Sequence, residues 1–257
     1  MSLNKYSSTI IISMRKQTNG GIIYLFPNII VRLMYLLPLM FLWRVLASQG
    51  VEVGMSLEQM LTYTLMNALL GEMLVVQTFM SSWNYEGQVL SLYLRPQPVF
   101  GQIIAQTIGE WIPMLLAFSI PMLFIAPLIG VTVIPATLWF FPSLLLCISL
   151  GFAIDFIFAC LTIRLKGLSW LSHSIKMAIM TLFSGTVIPF KILPFELTKA
   201  FEYQPFGSLG GAPLSLFTGI SDPVRIIPVQ IFWNITLWTV AVVWFRKSKE
   251  RQVSYGG

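Results

Sequence analysis

The chain has 257 residues, of which 56% are hydrophobic, 14% aromatic and only 10% charged, against roughly 25% charged in an average soluble domain. A water-soluble domain of this length must cover itself with polar side chains, so the composition excludes one and describes a single polytopic membrane domain over residues 1–257. The formal charge of +6 fits either a nucleic-acid ligand or the cytoplasmic bias of Lys and Arg in membrane chains, and placement decides between them.

Residues 1–20 set Ile10, Ile11, Ile12 and Met14 beside Lys5, Arg15 and Lys16, as in an amphipathic helix lying on the inner membrane surface. They lack the long apolar core and small-residue cleavage site of a signal peptide. Six apolar runs follow, about Ile22 to Leu46, Leu61 to Trp83, Ile103 to Ile129, Ile134 to Ile163, Trp170 to Ile188 and Ile226 to Phe245. Each predicts a transmembrane helix of about 20 residues. Pro27 and Pro38 in the first run, and Pro113 and Pro121 in the third, predict kinks. Cys147 and Cys160 share the fourth run, where a helix separates them by roughly 20 Å, too far for a disulfide, and they read as core packing.

An even number of spans puts both termini on one side of the membrane. Lys5, Arg15, Lys16, Arg95, Arg164, Lys166, Arg246, Lys247, Lys249 and Arg251 fall on that side, against Lys191, Lys199 and Arg225 on the other. The positive-inside rule then makes the termini cytoplasmic. The basic excess is topology, and nucleic acid is excluded as a partner.

The first outer loop contributes Glu52 and Glu58, and the second is short and uncharged. Residues 189–225 mix Phe and Leu with Lys191, Glu196, Lys199 and Glu202 and are cut by Pro194, Pro205 and Pro213. That composition suits short helices dipping into the outer leaflet. No catalytic or metal-ligating residue is expected: the lone His173 cannot make an H-E-x-x-H zinc site, and Gly54 to Glu58 lack the final glycine of a nucleophile elbow. The Asn234 glycosylation pattern lies inside the sixth span. No Gly-Lys dipeptide exists to build a phosphate loop, so any ATP and Mg are bound by another chain.

Ionisable residues within spans are functional candidates because burying one costs about 2.5 to 3.5 kcal/mol even on insertion scales. These are Arg32, Glu72, Glu110, Asp155 and Lys176. They could line a polar pathway, or Arg32 could pair with Glu72 or Asp155 to fix helix packing, which is the preferred reading. Lys176 stands close enough to the cytoplasmic end to snorkel. Glu110 falls at the inner boundary or in mid-membrane, depending on where the third crossing begins.

Residues 86–98 are a polar island between the second and third runs, placed in the cytoplasm by topology. Gln88 to Leu94 can form about two helical turns before Pro96. Val89, Leu92 and Tyr93 share one face, and Leu90 and Leu94 another, as in a helix held between the membrane body and a partner.

This segment, matched at Glu86, Gly87, Leu94, Arg95 and Pro96, resembles the "E-G-x-hydrophobic-x-x-x-x-L-R/S-P" stretch of type-2 ATP-binding-cassette (ABC) exporter permeases. A second likeness runs through Ser184, Gly185, Pro189, Leu193, Pro194, Pro205, Phe206, Pro213 and Gly219, similar to the family's outer re-entrant region. The resemblance implies a cytoplasmic coupling helix formed by Glu86, Gly87, Gln88, Val89, Leu92, Tyr93, Leu94, Arg95 and Pro96, and two half-buried helices before the sixth span. It also implies a pair of ABC ATPase subunits, a second permease chain and a bacterial plasma membrane. Gln102 departs from the family, where that position is often basic. The expected function is the permease subunit of an exporter for an amphipathic cargo such as a peptide, drug or lipid-linked glycan. The alternatives are an ion-gradient carrier using Glu72 and Asp155, and a non-transporting assembly factor.

Overall fold

A computed structural model describes residues 3–50, 54–86, 88–165, 168–193 and 197–255, with helices and no strand among them. In chain order these are α1 (Leu3–Gln17), α2 (Phe26–Ser48), α3 (Leu57–Leu74), α4 (Met80–Glu86), α5 (Val89–Tyr93), α6 (Val99–Met114) and α7 (Ile120–Ile125), followed by α8 (Phe140–Arg164), α9 (Ser169–Phe183), α10 (Leu197–Tyr203), α11 (Gly211–Phe217) and α12 (Pro223–Tyr255). Glu52, Gly87, Lys166, Pro194 and Glu196 lie outside the described residues.

Four stretches are long and apolar enough to cross a bilayer: Phe26–Ser48, Val99–Ile129, Phe140–Arg164 and Pro223–Ser248. They coincide with the first, third, fourth and sixth apolar runs. The second run is not one helix, because α3 ends at Leu74 and α4 starts at Met80. The fifth forms α9, whose 15 residues reach about 22 Å, short of the ~30 Å hydrocarbon core.

Local chemistry explains most boundaries. Ser56 caps α3 with a reciprocal capping box: its hydroxyl accepts from the Gln59 amide at 3.1 Å while the Gln59 side chain accepts from the Ser56 amide at 3.0 Å. Pro27 sits in the first turn of α2 and starts the helix rather than kinking it, whereas Pro38 lies inside. In the third run Pro113 and Pro121 bracket a π-helical turn, Leu115–Ser119, and the freed geometry lets the Ser119 hydroxyl donate to Leu69 O at 2.8 Å. The fourth run becomes helical only at Phe140. Upstream of it, the Ala136 amide donates instead to Phe217 O at 2.8 Å, pinning the loop to α11.

The N-terminal helix packs lengthwise on α6. Small residues on α6 permit this: a Cβ at Gly101 would lie 2.7 Å from the Tyr6 hydroxyl, and one at Gly109 would lie 2.4 Å from the Ile10 carbonyl oxygen. Ile11 and Ile12 remain exposed on its far side. Between α9 and α12, residues 189–225 fold into a short 3-10 turn, Phe190–Ile192, then α10 and α11. The Phe190 ring plugs a glycine-lined hollow, where a Cβ at Gly211 would stand 2.7 Å from it. Gln230 ties α12 to this region by donating to Ser143 O and Ser208 O at 3.2 and 2.8 Å.

Among the described residues the interior holds two large apolar clusters and a small third one of Ala212, Leu216 and Ile226. One large cluster gathers Leu36, Trp43, Leu65, Leu69 and Leu74 with Phe140, Leu150 and Phe217. The other gathers Val76, Met80, Leu92 and Ile103 with Phe152, Phe156 and Phe245. The interruption between α3 and α4 lies on their border, since Leu74 belongs to the first cluster and Val76 to the second. Arg44, near the C-terminal end of α2, donates to Ile129 O at 3.1 Å and is a cation the charge-placement argument left out. It joins the minority set and leaves the bias unchanged.

Candidate functional site

A helix that stops inside an apolar interior leaves carbonyls and amides that need partners other than water. Here α8 and α9 supply the partners. The Cys147 thiol lies 3.9 Å from Met73 O and 3.8 Å from Leu74 O as a weak donor. Lys176 Nζ donates to Val76 O at 3.4 Å and forms an ion pair with Asp155 Oδ1. The other oxygen of Asp155 accepts from the Thr78 amide at 3.2 Å and from its hydroxyl at 2.5 Å. Thr78 Oγ1 then accepts from the Met80 amide at 3.2 Å, where α4 opens. Gly151, one turn before Asp155 on the same face of α8, makes the approach possible, because a Cβ there would lie 2.6 Å from Val76 Cγ2.

Asp155 and Lys176 are 2% and 3% exposed. Of the two partners expected for Arg32, Glu72 is the one taken, and the expectation for Lys176 is corrected. Asp155 pairs with Lys176 and not with Arg32, and Lys176 does not snorkel to a membrane surface. Its charge is neutralised inside, where the stem packs between α8 and the interruption.

Beside the interruption a cleft of about 1030 Å³ runs along α9 between α2, α3, α4 and α6. Three of the predicted intramembrane residues meet in its wall: Arg32, Glu72 and Glu110. Arg32 is satisfied on three sides. Nη2 binds Glu72 Oε1 at 2.5 Å, Nη1 donates to Ala68 O at 2.7 Å, and Cζ stands 5.6 Å from the centre of the Phe118 ring. Glu110 accepts a long hydrogen bond from Gln106 at 3.4 Å and makes no ion pair among the described residues. It faces the cleft from within the Val99–Ile129 stretch.

The polar island at 86–98 is sorted by burial. Val89 and Leu92 are buried against the body of the bundle, while Gln88, Tyr93, Arg95 and Pro96 are exposed and Leu94 is 88% exposed. Tyr93 stands at the edge of the face it was expected to share with Val89 and Leu92, 36% exposed. Partial burial, with Cys160 nearby, pushes its phenol up to about 12, so it stays neutral at physiological pH. Glu86 accepts from the Gln88 side chain at 2.6 Å. Gln102 explains its own departure from a basic residue. It is 2% exposed and its amide donates to Leu92 O at 3.0 Å and Gln97 O at 2.8 Å, bracing the end of α5 against α6. A charge there would have to be buried.

Sequence reasoning missed Thr78, Gly151 and the partnership of Lys176 with Asp155. The available signal was two lone opposite charges 21 positions apart in adjacent apolar runs. Among the described residues no group of His, Cys, Asp and Glu stands ready to hold a metal.

Fold and cleft together define a multi-pass, all-helical membrane protein. Compared with family models, with curated proteins and with solved structures, the chain has no match in any of the three.

Proposed function

We propose that the chain is the membrane-spanning permease subunit of an ATP-driven exporter, acting with a pair of separate ATPase subunits that bind ATP and Mg, and with a second permease chain. In this reading there are six crossings, with α3 and α4 in tandem forming the second and α9 the fifth, and both termini are cytoplasmic in a bacterial plasma membrane. The observation that carries it is the split of α5. Its Val89 and Leu92 are buried and Gln102 braces its end to α6, while Leu94, Arg95 and Pro96, which follow it directly, are exposed.

A push on that outer face is transmitted to α6 through Gln102. It also reaches α4, which packs on α5 and starts at the interrupted segment beside the cleft. ATP binding would thereby bias the permease pair between inward-open and outward-open states that contact cargo differently. A gradient-driven carrier relying on Glu72 and Asp155 is the second reading. Against it, Asp155 is held by Thr78 and Lys176 and does not line the cleft.

The test is association. The chain is produced with an ATPase subunit from the same genome, and complex formation and ATP hydrolysis are compared for wild type, Leu94→Glu and Arg95→Glu. The proposal expects both variants to lose the complex and its hydrolysis. Intact association and hydrolysis in both would refute docking at α5.

A further inference from the structure

We propose that the cleft takes a lipophilic organic cation as its cargo, with Glu110 as the carboxylate that recognises the positive charge. The inference rests on the exporter reading for the role of the cleft, and on the cleft's own chemistry for the class of ligand.

Counting His173 as neutral, the charged residues in the wall are Arg32, Glu72 and Glu110, two carboxylates against one guanidinium. The guanidinium is already occupied by Glu72, the Ala68 carbonyl and the Phe118 ring. An anionic cargo would have to displace these partners and sit beside two carboxylates. Glu110 has only Gln106, at 3.4 Å, and Lys16 at the end of α1 is exposed and makes no ion pair with it. The cleft therefore holds a carboxyl group with no ion-pair partner among the described residues, on a stretch apolar enough to cross a bilayer, where an ionised carboxylate is costly and a bound cation offsets the cost.

The remaining wall fits the rest of such a molecule. Tyr35, Phe79, Trp111 and Trp170 contribute aromatic rings to the lining, a residue type that attracts cations and accepts apolar bodies of varied shape. The cleft, about 1030 Å³, stands at the upper end of the roughly 300–1,000 Å³ range of ligand clefts, enough for a drug-sized ligand. Its position along α9, open between helices, gives entry to a molecule already dissolved in lipid.

The test uses two probes of nearly equal size and shape but opposite charge, tetraphenylphosphonium and tetraphenylborate. Equilibrium binding of each to the purified chain, without ATPase or ATP, is measured against protein-free micelles. The cation should bind at least about tenfold more tightly than the anion, and Glu110→Gln should remove about that factor while Glu110→Asp keeps most of it. Unfolding temperature is recorded for each variant, and the wild-type comparison stands even where Glu110→Gln does not fold. Equal or tighter anion binding, absence of binding by either probe, or a cation preference that persists in folded Glu110→Gln would overturn the assignment. Because no nucleotide is involved, these outcomes leave the exporter reading untouched, and loss of ATP-driven transport with cation binding intact would remove the exporter reading alone.

Discussion

Replacing Lys176 by Met tests the interrupted second run most sharply. Asp155, 2% exposed, would keep its two bonds from Thr78 but lose its counter-charge, and Val76 O would lose the side-chain donor that reaches it. Breaking one partner out of a buried pair costs about 3–5 kcal/mol. At about 2–4 °C per kcal/mol for a chain of this size, the unfolding temperature should fall by roughly 10 °C. The chain carries its own reporters, since Cys147 and Cys160 are both fully buried and react with a fluorogenic maleimide only on unfolding. Cys147 also lies against the α3 terminus, so Lys176→Met should label earlier than global unfolding predicts. The double variant Asp155→Asn, Lys176→Met removes both charges while the introduced side-chain amide oxygen can still accept from Thr78, and it should recover most of the loss. Single variants that each unfold within about 1 °C of wild type, with no rescue in the double, would refute the clamp.

Gly109→Val should force α1 off α6, because its Cβ would meet the Ile10 carbonyl at 2.4 Å. A loss of about 1–3 kcal/mol and faster proteolysis near residue 20 would show it. Gly151→Val should be at least as costly by the same measurement, since the Cβ would stand 2.6 Å from Val76 Cγ2 in the clamped segment. Gln102→Leu takes the side-chain donor from Gln97 O and leaves Leu92 O only its backbone partner, the Arg95 amide at 3.3 Å, at a cost of about 1–3 kcal/mol where a buried acceptor is left unpaired. Hydrogen exchange should rise across residues 88–97 while α3 and α8 stay protected.

Four of the crossings were legible in the sequence because their apolar runs are long and lack competing partners. The helix-disturbing prolines of the third run were equally local, whereas the capping box at Ser56, though a local pattern, went unread. The interruption after Leu74 was not. It contains neither Gly nor Pro, and Val75 and Val76 are only mildly poor helix formers. What ends α3 is a tertiary supply of donors and acceptors from α8 and α9, which no local pattern announces. The pairing of charges was half legible: Arg32 with Glu72 follows from two charges in adjacent runs, but burial of Lys176 depended on how α9 sits against α8. Gln102 shows the same limit. Its identity reads as a missing charge in the sequence and as a brace for two carbonyls in the structure.

The most direct test of ATP-driven movement through α5 is a labelling rate. Phe79 is half exposed in the cleft and adjoins the clamped segment, and Cys147 and Cys160 are buried, so Phe79→Cys gives a clean site for a water-soluble maleimide. In complex with the ATPase subunits, a non-hydrolysable ATP analogue should change the labelling rate several-fold, and Leu94→Glu should abolish that change. A rate indifferent to nucleotide but responsive to an imposed proton gradient would contradict the proposal.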